Sequence, residues 1–282
     1  VVPASPSLTS VRDLIHGADR VLAVGTEFGW TDYGMYVLGN LPAPRDMIRL
    51  DICADQLARL PAALKLHGDA GATMAALLPL LTAHDGEGAE RAEATRTRAR
   101  AELGQLDPLM PRRLDMVEVI RAALPDCLIV GDSTQAIYAA NLYYDHDRDG
   151  GFFNAATGYG ALGYGPGAAV GAAIGAPGAK VVCLIGDGGL QFSPGELRTA
   201  VDERLDVTFL VWNNAAYNEI ADAMRAANTE VIGCHPSPLK MEPFAAACDL
   251  PFTSVPLDAE ALHWALAQPC LGPRMIEVRV KS

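Results

Sequence analysis

The chain has 282 residues, a length that suits about two domains, each with a core of its own. It is 50% hydrophobic and 20% charged, with 27 Gly and 19 Pro, which excludes collagen-like, low-complexity and disordered chains. With 34 acidic against 22 basic side chains the net charge is -12, which opposes a phosphate backbone and excludes nucleic acid as an expected partner. No apolar run approaches the roughly 20 residues of a membrane-spanning helix and no basic-then-apolar leader opens the chain, so no membrane partner is expected. Six scattered cysteines (Cys53, Cys127, Cys183, Cys234, Cys248, Cys270) form no C-x-x-C pair, which reads as idle thiols in a reducing, cytoplasmic setting.

In chain order, Leu8 to Ala18 has helical periodicity, Val21 to Val24 reads as a strand ending in Gly25-Thr26, and Met47 to Asp51 as a second strand. Gly71 to Leu81 is helical, with Met74, Leu77, Leu78 and Leu81 as its apolar stripe. From about His84 the chain changes character: Asp85-Gly86-Glu87-Gly88, then a charged helical stretch from Glu90 to Leu106, then Asp107-Pro108 and Pro111. The alternation then restarts. Leu114 to Leu124 is an amphipathic helix and Cys127 to Val130 a strand ending at Gly131-Asp132-Ser133-Thr134. Ala168 to Ala176 is helical, Lys180 to Ile185 is a strand running into Gly186-Asp187-Gly188-Gly189, Pro194 to Asp202 is helical, and Val207 to Trp212 is a strand ending at Asn213-Asn214. Strands alternating with helices predict a parallel sheet, and polar or Gly-rich segments directly after three strands mark the edge where such sheets bind ligands.

Two motifs compete for a chemical reading. Gly158-Tyr159-Gly160-Ala161-Leu162-Gly163 fits G-x-G-x-x-G, but Phe152 to Thr157 is a poor buried strand and the next acid, Asp187, sits in a Gly cluster of its own, which weakens a nicotinamide or flavin site. In the second, Gly186-Asp187-Gly188 is followed by 24 residues and then Asn213-Asn214. Two strand ends separated by one helix can aim a carboxylate and a carboxamide oxygen at one point, which suits a hard cation. Gly residues beside them let backbone N–H groups approach phosphate, and the helix starting near Pro194 would add a positive dipole end. Taken singly, Gly-Asp-Gly reads as a turn and Asn-Asn as a helix cap.

The segment from Leu184-Ile185-Gly186-Asp187-Gly188 to Trp212-Asn213-Asn214 resembles the signature of thiamine-diphosphate enzymes, and Gly158 to Ala168 is similar to that family's G-x-G-x-[MIL]-G-[YF]-G segment. Val21 to Glu27, Ile48 to Asp51 and His67-Gly68-Asp69-Ala70 resemble the middle domain of its acetolactate synthase and benzoylformate decarboxylase group. The resemblance implies two α/β domains with doubly wound parallel sheets. A truncated, Rossmann-like middle domain would cover 1–84, a linker with a surface helix 85–110, and the thiamine-diphosphate-binding domain 111–282.

It also implies roles. Asp187, Asn214 and the backbone carbonyl of Ala216 would ligate Mg²⁺, with Ala216 departing from the family's frequent Gly. Ser133, Thr134, Gln135, Gly186 and the N–H groups of Gly188 and Gly189 would contact the diphosphate, the Gly160 carbonyl would receive the cofactor's amino group, and Leu162 would wedge the cofactor into a bent form. Tyr217 and Glu219 follow, as candidates for contact with the cofactor and with the reacting carbon. Tyr217-Asn218-Glu219-Ile220 is closer to a Y-x-E-I pattern of decarboxylases of larger 2-oxo acids, guanidino acids included, than to the biosynthetic synthases. Glu219 reads equally as a helix-surface acid, and His235 and His263 as lone histidines with no partner at a chemical spacing.

The implied activity is decarboxylation or carboligation of a 2-oxo acid with thiamine diphosphate and Mg²⁺. Nothing here matches the family's activating glutamate, which lies in an N-terminal pyrimidine-binding domain contributed by a second subunit. The chain, opening at Val1 without Met and partway into the middle domain, is therefore expected to be a C-terminal portion with a cut end, inactive alone, of a homodimer or homotetramer. A non-catalytic thiamine-diphosphate-binding relative and a nicotinamide dehydrogenase are the competing readings.

Overall fold

A computed structural model describes residues 1–29, 43–44, 46–83, 86–146, 148–155 and 158–280. The expected linker start at His84-Asp85 and the pair Ala156-Thr157 lie outside the described residues. The chain divides into two compact units, Val1–Pro108 and Leu109–Ser282. Among the described residues no helix is long and apolar enough to cross a membrane.

The first unit holds a parallel sheet of three strands in the order β1 (Leu22–Val24), β2 (Ile48–Asp51), β3 (Leu64–His67). Among the described residues its helices are α1 (Thr9–His16), α2 (Ala54–Ala58), α3 (Ala70–Leu77) and α4 (Gly88–Leu106). β3 is not legible as a strand in the sequence, since Leu64-Lys65-Leu66-His67 is short and largely exposed. The stripe expected over 71–81 is broken: α3 stops at Leu77, a 3-10 turn spans Leu78–Leu80, and no residue of either is buried. Pro79 cannot donate to a carbonyl one turn back, so the backbone tightens there and the stripe loses its register. The charged helix α4 packs on α1, with Thr95, Ala99 and Leu103 buried. Its Glu102 accepts hydrogen bonds from the N–H groups of Thr9 (2.5 Å) and Ser10 (3.1 Å), satisfying donors that the first turn of α1 leaves open.

The second unit is a six-stranded, all-parallel sheet in the order β5 (Phe152–Asn154), β4 (Leu128–Gly131), β6 (Val181–Gly186), β7 (Val207–Asn213), β9 (Arg274–Arg279), β8 (Phe252–Pro256). Its central strands are buried up to the last residues of β6 and β7, as continuous apolar runs in a sheet covered on both faces should be. Alternation divides them between two cores. Val182, Leu184, Leu210 and Trp212 pack with α5 (Met110–Ala123), α6 (Gln135–Leu142) and α12 (Ala259–Ala267). Val181, Cys183, Ile185, Phe209 and Val211 pack with α7 (Tyr164–Gly175), α9 (Gly195–Asp202) and α11 (Met241–Ala247). All six cysteines are free, and burial pushes the Cys127 thiol up to about 11 and that of Cys183 well above its ordinary value. β5 lies on one side of β4 and β6 on the other, so the chain reverses direction of winding between β4 and β6, and a crevice opens beyond their carboxyl ends.

Candidate active site

That crevice is a cleft of about 680 Å³, part of it open to solvent. Four loops line it: Ser133, Thr134 and Gln135 after β4; Gly160 and Leu162 before α7; Gly186 to Gly189 after β6; Asn214, Ala216, Tyr217 and Glu219 after β7. Every residue to which the resemblance gives a role is therefore on one surface. Tyr138, Trp212, Asn218 and Ile220 line it as well.

Asp187 opens a single helical turn, α8 (Asp187–Leu190), directly after β6. Its side chain is buried, and one carboxylate oxygen accepts the Asn214 N–H at 3.3 Å. Burial raises its pKa; the N–H groups of Asn214, Asp187 and Gly188 oppose the rise, and the charge of Glu277 adds to it. A buried carboxylate with a raised pKa is short of positive charge. Asn214 donates from Nδ2 to Gln135 Oε1 at 3.4 Å and accepts the Ala216 N–H on Oδ1 at 3.1 Å, which folds the chain so that Asn214 and Ala216 face the cleft together. Ala215 turns the corner with a left-handed φ of 55°. The first asparagine works differently, since Asn213 donates to Glu277 Oε1 at 2.6 Å and accepts the Ala215 N–H at 3.0 Å. Ser254 donates to the other Glu277 oxygen at 2.5 Å, so β7, β8 and β9 jointly hold the start of this loop.

The glycines are required by contact. A Cβ on Gly188 would overlap the Tyr217 ring, and one on Gly189 would lie 2.8 Å from Asp132 Oδ1. Backbone there can approach a ligand more closely than any other residue would allow. Asp132, fully buried, accepts the N–H groups of Ser133 (2.9 Å) and Gly165 (2.8 Å), tying the loop after β4 to the start of α7. Burial pushes its carboxyl pKa up, with those N–H groups opposing the shift. Ser133 Oγ donates to the Gly160 carbonyl at 3.2 Å, and Trp212 Nε1 donates to Gln135 Oε1 at 3.2 Å. Gly163, with φ 82°, precedes α7, and its carbonyl accepts the Ser193 hydroxyl at 2.7 Å. Leu162 is only half-buried and faces the cleft instead of joining either core.

One expectation shifts. The start of the helix over 194–202 does not line the cleft; the turn beginning at Asp187 does, because β6 passes straight into it. His235 and His263 are exposed and lie outside the cleft. Sequence reasoning misses Asp132 and Glu277. Asp132 stands beside Ser133 and is within reach of a motif reading, whereas Glu277 is 64 residues from the Asn213 it holds and gives no local signal.

Among the described residues no three His, Cys, Asp or Glu side chains come together, so a cation here would rest on Asp187 with amide and carbonyl oxygens. One buried carboxylate, a carboxamide and backbone carbonyls form a hard-oxygen set suited to a small divalent ion that also binds phosphate. The donor set and the glycine contacts both fit a diphosphate held through a metal.

The thiamine pyrophosphate enzyme C-terminal TPP binding domain matches residues 132–278, which contain every lining residue of the cleft. A protein named probable 2-ketoarginine decarboxylase AruI, from Pseudomonas aeruginosa, is 38% identical over 229 residues, 79% of this chain and 40% of its own length. The benzoylformate decarboxylase of the same organism is 30% identical over 222 residues, 78% of this chain and 40% of its own. A thiamine diphosphate-dependent 4-hydroxybenzoylformate decarboxylase from Rhodococcus jostii RHA1 superposes with a TM-score of 0.73 at 25% identity, covering all of this chain and 52% of that one. The chain thus spans 40% of the length of these two curated relatives. With the family's domain matched across the whole cleft, the chain belongs to the thiamine pyrophosphate enzyme family.

Proposed function

We propose that this chain binds thiamine diphosphate through Mg²⁺ and supplies the diphosphate half of a site that decarboxylates a 2-oxo acid or joins the product to an acceptor. The observation that carries the reading is the convergence of four loops, from residues 133 to 219, on one cleft at the reversal of winding. Asp187, Asn214 and the Ala216 carbonyl would hold the metal; Ser133, Thr134, Gln135 and the Gly188 and Gly189 N–H groups would hold the diphosphate. Leu162 would press on the cofactor from the side of Gly160, whose carbonyl would accept a hydrogen bond from the cofactor's amino group, and Tyr217 and Glu219 would face the reacting end. Bound thiamine diphosphate supplies the electron sink that lets a 2-oxo acid lose CO₂. The apolar walls Leu162, Trp212 and Ile220 lower the polarity around that reaction, which disfavours a carboxylate more than a neutral product.

The pyrimidine end would be held by the N-terminal domain of a second subunit, in a homodimer or homotetramer. The relative named for 2-ketoarginine makes a guanidino 2-oxo acid the first substrate to assay. Titrating thiamine diphosphate into the chain with and without Mg²⁺ tests the binding, and CO₂ release from a panel of 2-oxo acids by the full-length gene product tests the reaction. Metal-dependent binding followed by turnover is expected; absence of both sinks the proposal.

A further inference from the structure

The charges around the cleft are lopsided. Among its described lining residues the acids are Asp187 and Glu219, and no Lys, Arg or His stands with them. The two acids are placed differently. Asp187 is buried at the end of β6, where the metal would sit, whereas Glu219 is exposed in the first turn of α10 (Asn218–Ala226). Among the described residues Glu219 is in no ion pair. Its charge is nevertheless felt across the cleft: burial raises the Tyr138 phenol pKa, hydrogen bonding with Ser133 opposes the rise, and Glu219 adds to it.

A diphosphate and a 2-oxo carboxylate both bring negative charge into this space. A bare carboxylate on the rim repels them unless the incoming molecule carries a cation to that rim. The first turn of a helix favours an acid in general, but that preference does not place the acid on the cleft. Beside Glu219, Ile220 is 47% exposed and Leu162 half-buried, both facing the cleft. Such walls suit methylene groups leading to a polar end.

We infer that the cleft takes a 2-oxo acid whose side chain is a methylene stem ending in a guanidinium or ammonium group, and that Glu219 is the side chain that selects it. The inference rests on the thiamine-diphosphate reading of the cleft. A charge-assisted hydrogen bond from the cationic end to the Glu219 carboxylate discriminates against an uncharged tail of equal length.

The test compares 5-guanidino-2-oxopentanoate with the uncharged 2-oxoheptanoate, using the full-length gene product. The expected result is a preference of about ten-fold or more in kcat/KM for the cationic acid, with Glu219→Gln collapsing that ratio by about the same factor, mainly through KM. Calorimetry of the unreactive 5-guanidinopentanoate on protein loaded with thiamine diphosphate and Mg²⁺ should show the same weakening in Glu219→Gln. A variant that slows cationic and neutral acids alike, leaving the ratio intact, overturns the inference and makes Glu219 a proton carrier. A wild type that turns over neutral acids and ignores cationic ones overturns it while the cofactor reading stands. Absence of both turnover and cofactor binding removes the reading and the inference together.

Discussion

At the scale of single residues, the site is built from side chains whose neighbours leave them little freedom. Asp187 is a buried carboxyl group facing a cleft that no described basic residue lines, and burial raises its pKa, so a cation bound beside it would favour its charged form. If Asp187 ligates the metal as proposed, replacing it with Ala should weaken Mg²⁺-dependent binding of thiamine diphosphate by about 100-fold or more, since a ligand matters at least as much as its supporting shell. Circular dichroism should stay close to wild type, and unchanged affinity in calorimetry would reduce the Gly-Asp-Gly segment to a turn. Gly188→Ala probes a different constraint. Its Cβ would run into the Tyr217 ring, so the ring must leave the cleft wall or the turn after β6 must shift. Overpacking of this kind costs about 1–3 kcal/mol. The expected outcome is a lowered midpoint in urea together with weaker cofactor binding; full affinity would show that Tyr217 moves freely.

At the scale of elements, positions far apart in sequence are joined by strand order. Asn213 can hold Ala215 in its left-handed turn because β9 brings Glu277 alongside β7 and β8 brings Ser254 to the same carboxylate. In the first unit, Glu102 of α4 caps α1 from outside that helix. Burial pushes its pKa up, but the N–H groups of Ser10 and Thr9 outweigh that and hold it below the ordinary carboxylate range. A depressed folded pKa means stability that is present above the unfolded value and lost as pH falls through the folded one. Glu102→Ala should therefore destabilise residues 1–108 by about 1 kcal/mol at pH 7, the usual worth of a helix cap. The deficit should shrink below about pH 4, where the unfolded carboxyl is protonated too. Denaturation at both pH values checks it, and a pH-independent deficit would assign the loss to packing.

At the scale of the whole molecule, the cleft is built from residues 109–282: among the described residues, all that line it lie in that unit. A ligand bound there stabilises that unit by mass action, about 2.7 kcal/mol at a concentration 100 times its Kd. Hydrogen exchange on adding thiamine diphosphate with Mg²⁺ should slow at 131–135, 158–165, 186–190 and 213–220, and chelation of the metal should reverse it. Protection spread evenly over the chain, or none at these loops, would contradict the placement of the ligand.

The amino-acid sequence by itself determined the alternation of strand and helix and the chemistry at three strand ends. Those features are local: apolar runs declare buried strands, and glycines with an acid or an asparagine declare the loops that follow. It did not reveal β3, β8 or β9, nor the break at Pro79, nor that α4 would bury one face against α1, because exposed short strands and charged helices carry little periodic signal. Only the tertiary structure decided that Gln135, Trp212 and Asn214 share one hydrogen-bonded centre, that Asp132 ties two loops together, and that Glu277 anchors the asparagine pair. Those contacts are set by strand order across the sheet, and no spacing along the chain encodes which strand lies beside which.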